Sequence, residues 1–299
     1  MIYLTNVSKQ FGSFAAVNNI SISIKPGEIF GFVGPDGAGK TTTMRMIIGI
    51  LDASSGEITV LGKSRLEEIK SHIGYVPQKF SLYGDLTVME NIRLIGSLYG
   101  ASKEKIKHQA EEILTFTKLW SFQDRLADNL SGGMKQKLAL AAGLMHKPEL
   151  FFLDEPTTGV DPVSRREFWQ MLYRLNKEGM TIIVSTPYMD EAELCTRIAF
   201  FHAGKIVACD SPEQLRRSYP YRILEIQAGS KDIKRYVSSC PIIDINSFGE
   251  AYHVVVNDLD TAKSTIEEVL TAAGISIFSI REVSPTLEDV FVHLADEVM

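Results

Sequence analysis

The chain has 299 residues, a formal net charge of −6 and 45% hydrophobic residues, room for one large α/β domain and a smaller one. No basic stretch dominates, which argues against nucleic acid as a partner. The three cysteines (Cys195, Cys209, Cys240) lack metal-ligand spacing and read as ordinary residues of a reducing cytoplasm. The first residues lack the charged start and apolar stretch of a signal peptide. The longest apolar helical run, Leu138 to Met145, is too short to span a bilayer, so a membrane role is expected to come through a partner.

Ile2 to Val7 reads as a strand, and Phe11 follows it. Phe11 is either a core aromatic or an exposed ring for a purine, a contact worth about 1–3 kcal/mol by analogy with base stacking. Val17 packs beside it or is a plain core valine. Glu28 to Val33 reads as a buried strand and Thr43 to Gly49 as an amphipathic helix. Between them, Gly34, Asp36, Gly37, Ala38, Gly39, Lys40, Thr41 and Thr42 fit the pattern G-x-x-x-x-G-K-[ST] in its strand–loop–helix context. Such a loop lets backbone N–H groups curl around an anion at the positive end of a helix. Lys40 would reach the terminal phosphates and the Thr41 hydroxyl would ligate Mg²⁺. The chain is therefore expected to bind a nucleoside triphosphate.

Gln78 follows a strand and Pro77; its amide can ligate Mg²⁺ or hold a water, but cannot act as a base. Val88 to Leu98, Lys103 to Leu119 and Gln123 to Ala127 carry apolar residues at helical spacing. Ser131 caps a helix from Met134 to Leu144, and Gly132 and Gly133 expose N–H groups as a phosphate site without a lysine would. Leu150 to Leu153 reads as a doubly buried parallel strand ending in Asp154 and Glu155, at the sheet edge where ligands bind. Two helix-capping acids would look alike. With the phosphate loop upstream, Asp154 is expected to hold Mg²⁺ through its water shell and Glu155 to polarise the attacking water.

These segments, over Leu4 to about Pro212, make the chain resemble an ATP-binding-cassette (ABC) ATPase subunit. The residues that carry the resemblance are Gly34 to Thr42, the Q-loop Ile73 to Gln78, the signature Leu130-Ser131-Gly132-Gly133-Met134-Lys135-Gln136-Lys137, the pair Asp154-Glu155, and the D-loop Thr158 to Pro162, in the family's order. The resemblance implies an α/β P-loop NTPase fold with an antiparallel β subdomain and a helical subdomain at about 82–145. It implies ATP and Mg²⁺ as ligands, with Phe11 stacking on adenine. It also implies a head-to-tail dimer in which Ser131, Gly132 and Gly133 of one subunit close over ATP held by the other, and Asp161 communicates between them. Transmembrane permease subunits are the implied partners, on the cytoplasmic face of the membrane. The helical subdomain would touch them, and Lys79 to Gly84 would be either a docking surface or an ordinary loop. The wording of the loop, Q-loop and signature further resembles one half of the tandem ATPases of multidrug exporters that work with a periplasmic adaptor. That half is expected here as a chain of its own. A soluble ABC ATPase without a transporter is the rival class; those carry tandem cassettes or coiled-coil insertions, and neither is evident.

Three positions depart from the family pattern. Pro187 follows the strand Thr181 to Thr186 where the family usually has a γ-phosphate-sensing histidine. Proline has no side-chain donor and no N–H, and the hydroxyls of Thr186 and Tyr188 are the candidate substitutes. A slow site or a regulatory nucleotide-binding subunit in an asymmetric heterodimer, and a sluggish homodimer, all follow. Asp36 puts a carboxylate near the triphosphate, unfavourable unless it points away or is paired. Met134 stands where the signature usually has Gln and reads as a packing residue.

Ala208 to Leu215 closes the cassette by this resemblance, giving domains at 1–215 and 216–299, joined by the polar link Arg216 to Pro220. Beyond it, Tyr221 to Gln227 (strand), Lys231 to Ser239 (helix), Ile242 to Asn246 and Tyr252 to Asn257 (strands), Thr261 to Ala273 (helix) and Ile275 to Val283 (strand) spell β-α-β-β-α-β, before a last helix from Thr286 to Leu294. That order suggests a small α+β, ferredoxin-like sandwich. Ser284 to Phe291 resembles the tail of daunorubicin-resistance-type exporters. No cluster there reads as catalytic; a regulatory or dimer-bracing role and a passive spacer both remain.

Overall fold

Ile29–Val33, Leu150–Asp154 and Thr181–Thr186 are buried at every position, the mark of parallel strands covered on both faces. They form the centre of a six-stranded sheet in the computed structural model, which describes residues 1–296 other than Arg65 and Lys231. The chain divides into two units, Met1–Pro212 and the segment from Glu213 onward.

The first unit opens with β1 (Ile2–Phe11) and β2 (Phe14–Ile24), followed by β3 (Ile29–Val33), α1 (Lys40–Ile47), β4 (Ser55–Val60) and β5 (Ile73–Val76). Then come α2 (Val88–Leu98), α3 (Lys103–Phe116), α4 (Gly132–Leu144), β6 (Leu150–Asp154), α5 (Pro162–Lys177), β7 (Thr181–Thr186), α6 (Met189–Ala192), β8 (Arg197–His202) and β9 (Lys205–Asp210). The main sheet runs β5-β6-β7-β3-β8-β9, parallel except for β9. A second sheet, β2-β1-β4, is antiparallel. One core joins the two sheets: Leu4, Val17 and Ile22 meet Met44 and Ile47 of α1, and these meet Phe30, Phe152 and Ile183 of the main sheet. Burial of that apolar surface, at about 25 cal/mol per Å², clamps α1 and hence the loop before it.

The helical segment is fixed by local chemistry. Thr87 and Glu90 form a reciprocal capping box on α2, and Ser102 caps α3 through the Lys105 N–H. The buried Asn91 amide accepts the N–H of Tyr83 at 2.9 Å and donates to the carbonyls of Tyr83 and Thr87, which pins the loop beyond the Q-loop. The expected helix at Gln123 to Ala127 does not form; two short 3₁₀ turns, Trp120–Phe122 and Ala127–Asn129, stand there instead. Five residues bury too little to nucleate an α-helix. β1 runs on to Phe11 rather than stopping near Val7, because its outer half pairs with β2 up to Phe11–Phe14. No helix among the described residues is long and apolar enough to cross a membrane.

From α7 (Pro212–Arg217) the second unit continues with β10 (Arg222–Ala228), α8 (Lys234–Val237), β11 (Asp244–Phe248), β12 (Ala251–Val256), α9 (Leu259–Ala272), β13 (Ile277–Val283) and α10 (Leu287–Asp296). Arg216 and Arg217, read as a link, instead form the last turn of α7. The helix expected at Lys231 to Ser239 is only the four-residue α8, and Lys231 itself lies outside the described residues. The sheet order β11-β12-β10-β13 is antiparallel throughout, with α8 and α9 packed on a core of Leu224, Ile226, Val254, Ile266 and Leu270. This is the split β-α-β arrangement of a ferredoxin-like sandwich, extended by α10.

Candidate functional site

The loop between β3 and α1 is held open by backbone that only glycine adopts with ease. Gly39, at φ 103°, ends it, and a Cβ there would stand 2.7 Å from the Ala16 carbonyl oxygen. Lys40 is buried and folded back, its ammonium donating to the carbonyls of Gly34 at 2.7 Å and Pro35 at 2.9 Å. Burial pushes the Lys40 pKa down, while the charges of Glu155, Asp36 and Asp154 pull it up. An ammonium parked on backbone carbonyls, with its N–H groups turned inward, can swing to an incoming polyanion.

A groove of about 430 Å³ lies over this loop, lined by residues 36–42 with Phe11, Phe14, Ala16, Gln78 and Glu155. The loop, Gln78, Glu155 and Phe11 therefore converge, although β5, β6 and the β1–β2 hairpin lie far apart in sequence. Phe11 is 51% exposed, which removes the reading of it as a core aromatic. Its partner across the hairpin, Phe14, is 63% exposed and lines the same groove. Sequence reading missed Phe14; the turn Gly12-Ser13 between two aromatics was the available signal. Val17 does not line the groove but sits fully buried in the core, its Cγ2 3.4 Å from where a Gly39 Cβ would be. Strand alternation explains this: Val17 points inward from β2 to support the loop from below. Gly34 is likewise buried beneath the loop, and Asp36 is exposed at its outer edge.

Behind the groove stands a second layer. Asp154 Oδ1 accepts hydrogen bonds from Thr41 Oγ1 at 2.8 Å and Ser185 Oγ at 2.6 Å. Its Oδ2 is buried with no hydrogen-bond partner among the described residues. A buried carboxylate oxygen left bare is costly in isolation and marks a place for a donor or a cation. Glu155 adopts φ 47°, a left-handed conformation uncommon for a non-glycine residue and typical of strained functional positions. Its N–H is held by Ser185 Oγ at 3.0 Å. Its Oε2 accepts from Gln78 Nε2 at 2.8 Å and Thr158 Oγ1 at 3.4 Å, and its Oε1 lies 3.8 Å from the Lys40 ammonium. Ser185, another residue the sequence reading missed, thus orients both acids from the neighbouring strand.

Ser131, Gly132, Gly133 and Asp161 do not line this groove. They gather elsewhere on the same unit. Ser131 accepts the Met134 N–H at the start of α4, and Asp161 accepts the Ser164 N–H at 2.9 Å at the start of α5. That hydrogen bond holds the Asp161 carboxyl below its usual range. A Cβ on Gly133 would lie 2.6 Å from Ser164 Cβ, so the two helix starts abut. At the end of β7, Thr186 is not available as a phosphate donor: its hydroxyl is fully buried and given to Glu191 Oε2 at 2.6 Å. The Tyr188 ring instead lies against the Arg165 guanidinium, 4.9 Å from its centroid.

Comparisons with known proteins agree with this geometry. The family described as ABC transporter matches residues 17–158, and the C-terminal domain of DrrA1-3-like ATP-binding proteins matches residues 211–295. The chain is 44% identical over 72% of its length to the probable multidrug ABC transporter ATP-binding protein YbhF of Escherichia coli (strain K12), spanning only 38% of that relative. It is 34% identical to the linearmycin resistance ATP-binding protein LnrL of Bacillus subtilis (strain 168), over 100% of this chain and 99% of the other. A solved ATP-binding cassette, dimeric in a post-hydrolysis state with ADP and Pi bound, superposes with a TM-score of 0.65 at 29% identity, covering 71% of this chain and 98% of that one. A groove built from the phosphate loop, Gln78 and Glu155 with Asp154 behind it, together with full-length similarity to LnrL, shows that the chain belongs to the ABC transporter ATP-binding family.

Proposed function

We propose that this chain is the ATP-hydrolysing subunit of a membrane exporter, working at the cytoplasmic face of permease subunits and pairing head-to-tail with a second ATPase subunit. One observation carries the site assignment: Lys40, Thr41, Gln78 and Glu155 meet at one groove, with Asp154 bonded to Thr41 behind it and its Oδ2 bare. The dimeric state of the solved cassette and the multidrug-transporter and resistance wording of the relatives' names support the rest. An adaptor reached through the permease belongs to the same reading.

Each residue then has a task. Phe11, joined by Phe14, offers an exposed π-face to the adenine. The N–H groups of residues 37–42 and the α1 dipole receive the phosphates, and Lys40 leaves the Gly34 and Pro35 carbonyls to meet them. Asp154, Thr41 and Gln78 suit a Mg²⁺ ion, which when bound would neutralise phosphate charge. Glu155, aimed by Gln78 and Ser185, orients the attacking water. Ser131, Gly132 and Gly133 close the partner's site, and Asp161 lies beside them at the contact.

Pro187 favours a specific version of this function. One lost charge-assisted hydrogen bond costs about 1.5–3 kcal/mol, which slows turnover roughly tenfold to a hundredfold. The site therefore binds ATP and hydrolyses it slowly, while the signature can complete a faster site on a different ATPase subunit. The test is steady-state ATPase of the purified chain and of Pro187→His. Low activity that rises with the imidazole supports the slow site. Wild-type turnover of about 10 s⁻¹ or more, typical of an enzyme, from this chain alone refutes it.

A further inference from the structure

Glu191, in the acidic helix start after Pro187, does not line the groove, yet its carboxylate is 1% exposed. Its two oxygens serve two different loops. Oε1 accepts the hydroxyl of Thr157, just beyond Glu155-Pro156, and Oε2 accepts the hydroxyl of Thr186, just before Pro187. Both threonines are buried. Thr186 Oγ1 in turn accepts the Tyr188 N–H at 3.1 Å, so the residues on both sides of Pro187 answer to one carboxylate. Arg165 closes the set from α5: its Nε lies 3.5 Å from Glu191 Oε1, its Nη1 3.3 Å from Asp190 Oδ2, and its guanidinium carbon 4.9 Å from the Tyr188 ring centroid. The Arg165 N–H donates to the Asp161 carbonyl at 2.9 Å.

A carboxylate this deep is stable only when hydrogen-bonded and paired, and truncating one partner leaves the rest exposed to the full desolvation cost. Capping the four-residue α6 needs no such burial. What the arrangement achieves is registration. The loop after Glu155, the start of α5 after Asp161 and the end of β7 come from different elements, and one side chain, with Arg165, reaches all three. Proline at 187 can anchor none of them, since it has neither side-chain donor nor N–H.

We propose that Glu191 is a positioning residue of the ATPase site, holding Glu155, Asp161 and the Pro187 turn in one register through Thr157, Arg165 and Thr186. It acts through those residues and touches no substrate. The proposal deepens the ATPase reading and rests on it. Hydrogen exchange on the nucleotide-free full chain tests it without requiring turnover. Glu191→Gln retains shape but offers one acceptor oxygen in place of two and no charge for Arg165. Exchange in residues 156–161 and 186–190 should then rise together, by about tenfold or more, with β3 and β6 unchanged. With MgATP, kcat should fall about tenfold while KM stays within about twofold, the mark of lost positioning rather than lost binding. Thr157→Val keeps the shape and loses the hydroxyl, whereas Thr157→Ser keeps the hydroxyl and loses a methyl. The valine variant should be the more damaged in both readouts, and the pair decides the matter if Glu191→Gln does not fold. Faster exchange in only one of the two segments, or in neither, overturns the proposal. So does a serine variant as impaired as the valine one. A wild-type chain that binds no ATP would refute the ATPase reading while leaving the exchange result to stand by itself.

Discussion

Two glycine-rich helix starts, at residues 34–40 and 131–133, carry the same idea of presenting N–H groups to an anion, yet they are built in opposite ways. The first is sunk into the core. Lys40 is buried, a Cβ on Gly39 would strike the Ala16 carbonyl, and Val17 supports the loop from below. The second lies outward: Ser131 and Gly132 are exposed, and a Cβ on Gly132 would meet nothing nearer than the Gly159 carbonyl at 3.8 Å. A site buried against its own chain is complete within that chain, whereas one facing outward awaits another molecule. The first start has a lysine and two acids behind it; the second has only a capping serine and its neighbouring D-loop.

The largest effect that could break this contrast comes from Lys40→Ala. It removes the cation of the phosphate loop and should abolish ATP binding by calorimetry, a weakening of about a hundredfold or more for a lost charge-assisted contact to phosphate. Unchanged affinity would end the case for this loop as the phosphate site. Gly39→Ala should come close behind, because both its φ and the Ala16 carbonyl forbid a Cβ without moving the loop. Gly132→Ala should leave the thermal midpoint within a few degrees and the ATP affinity of the single chain intact, since it sits in open helical backbone. If both alanines behaved alike, the two helix starts would not differ as described.

Much of this was legible in the sequence because the signals were local. Strand, glycine loop, lysine and helix lie within a short span, and four apolar residues before two acids can be little else than a buried strand ending at a site. The ferredoxin-like order of the second unit followed from its alternating periods. What escaped depends on contacts across distant segments. Ser185 looks like an ordinary strand serine until β7 is placed beside β6, where it reaches both Asp154 and Glu155. Glu191 looks like one of a run of solvated acids until Thr157 and Thr186 close on it. Phe11 could not be told from a core aromatic until β1 ran beyond Val7 and put it on an exposed hairpin end. No local pattern encodes such pairings.

A smaller effect sharpens the buried half of the contrast. Burial lowers the Lys40 pKa below the usual lysine range. Phosphate favours the protonated amine, so the bound chain holds its proton more tightly than the free one. By linkage, ATP affinity is full below the free-state pKa and falls as pH rises through it, at a lower pH than for an ordinary lysine. Titrating affinity from neutral pH to about pH 10 should show this decline, beyond any change seen in the protein's fold. An affinity flat across that range would mean that Lys40 is not desolvated as described.

The outward half is tested most directly in a chain carrying Glu155→Gln, which should hold ATP without hydrolysing it. At high protein concentration, light scattering with MgATP should show a doubling of mass for that variant, because trapped ATP lets the signature of one copy close over the nucleotide of another even where a different ATPase subunit is the preferred partner. Adding Ser131→Arg should return the chain to a monomer that still binds one ATP. A dimer that survives Ser131→Arg, or loss of ATP binding from the monomer on that substitution, would contradict the division of labour between the two helix starts.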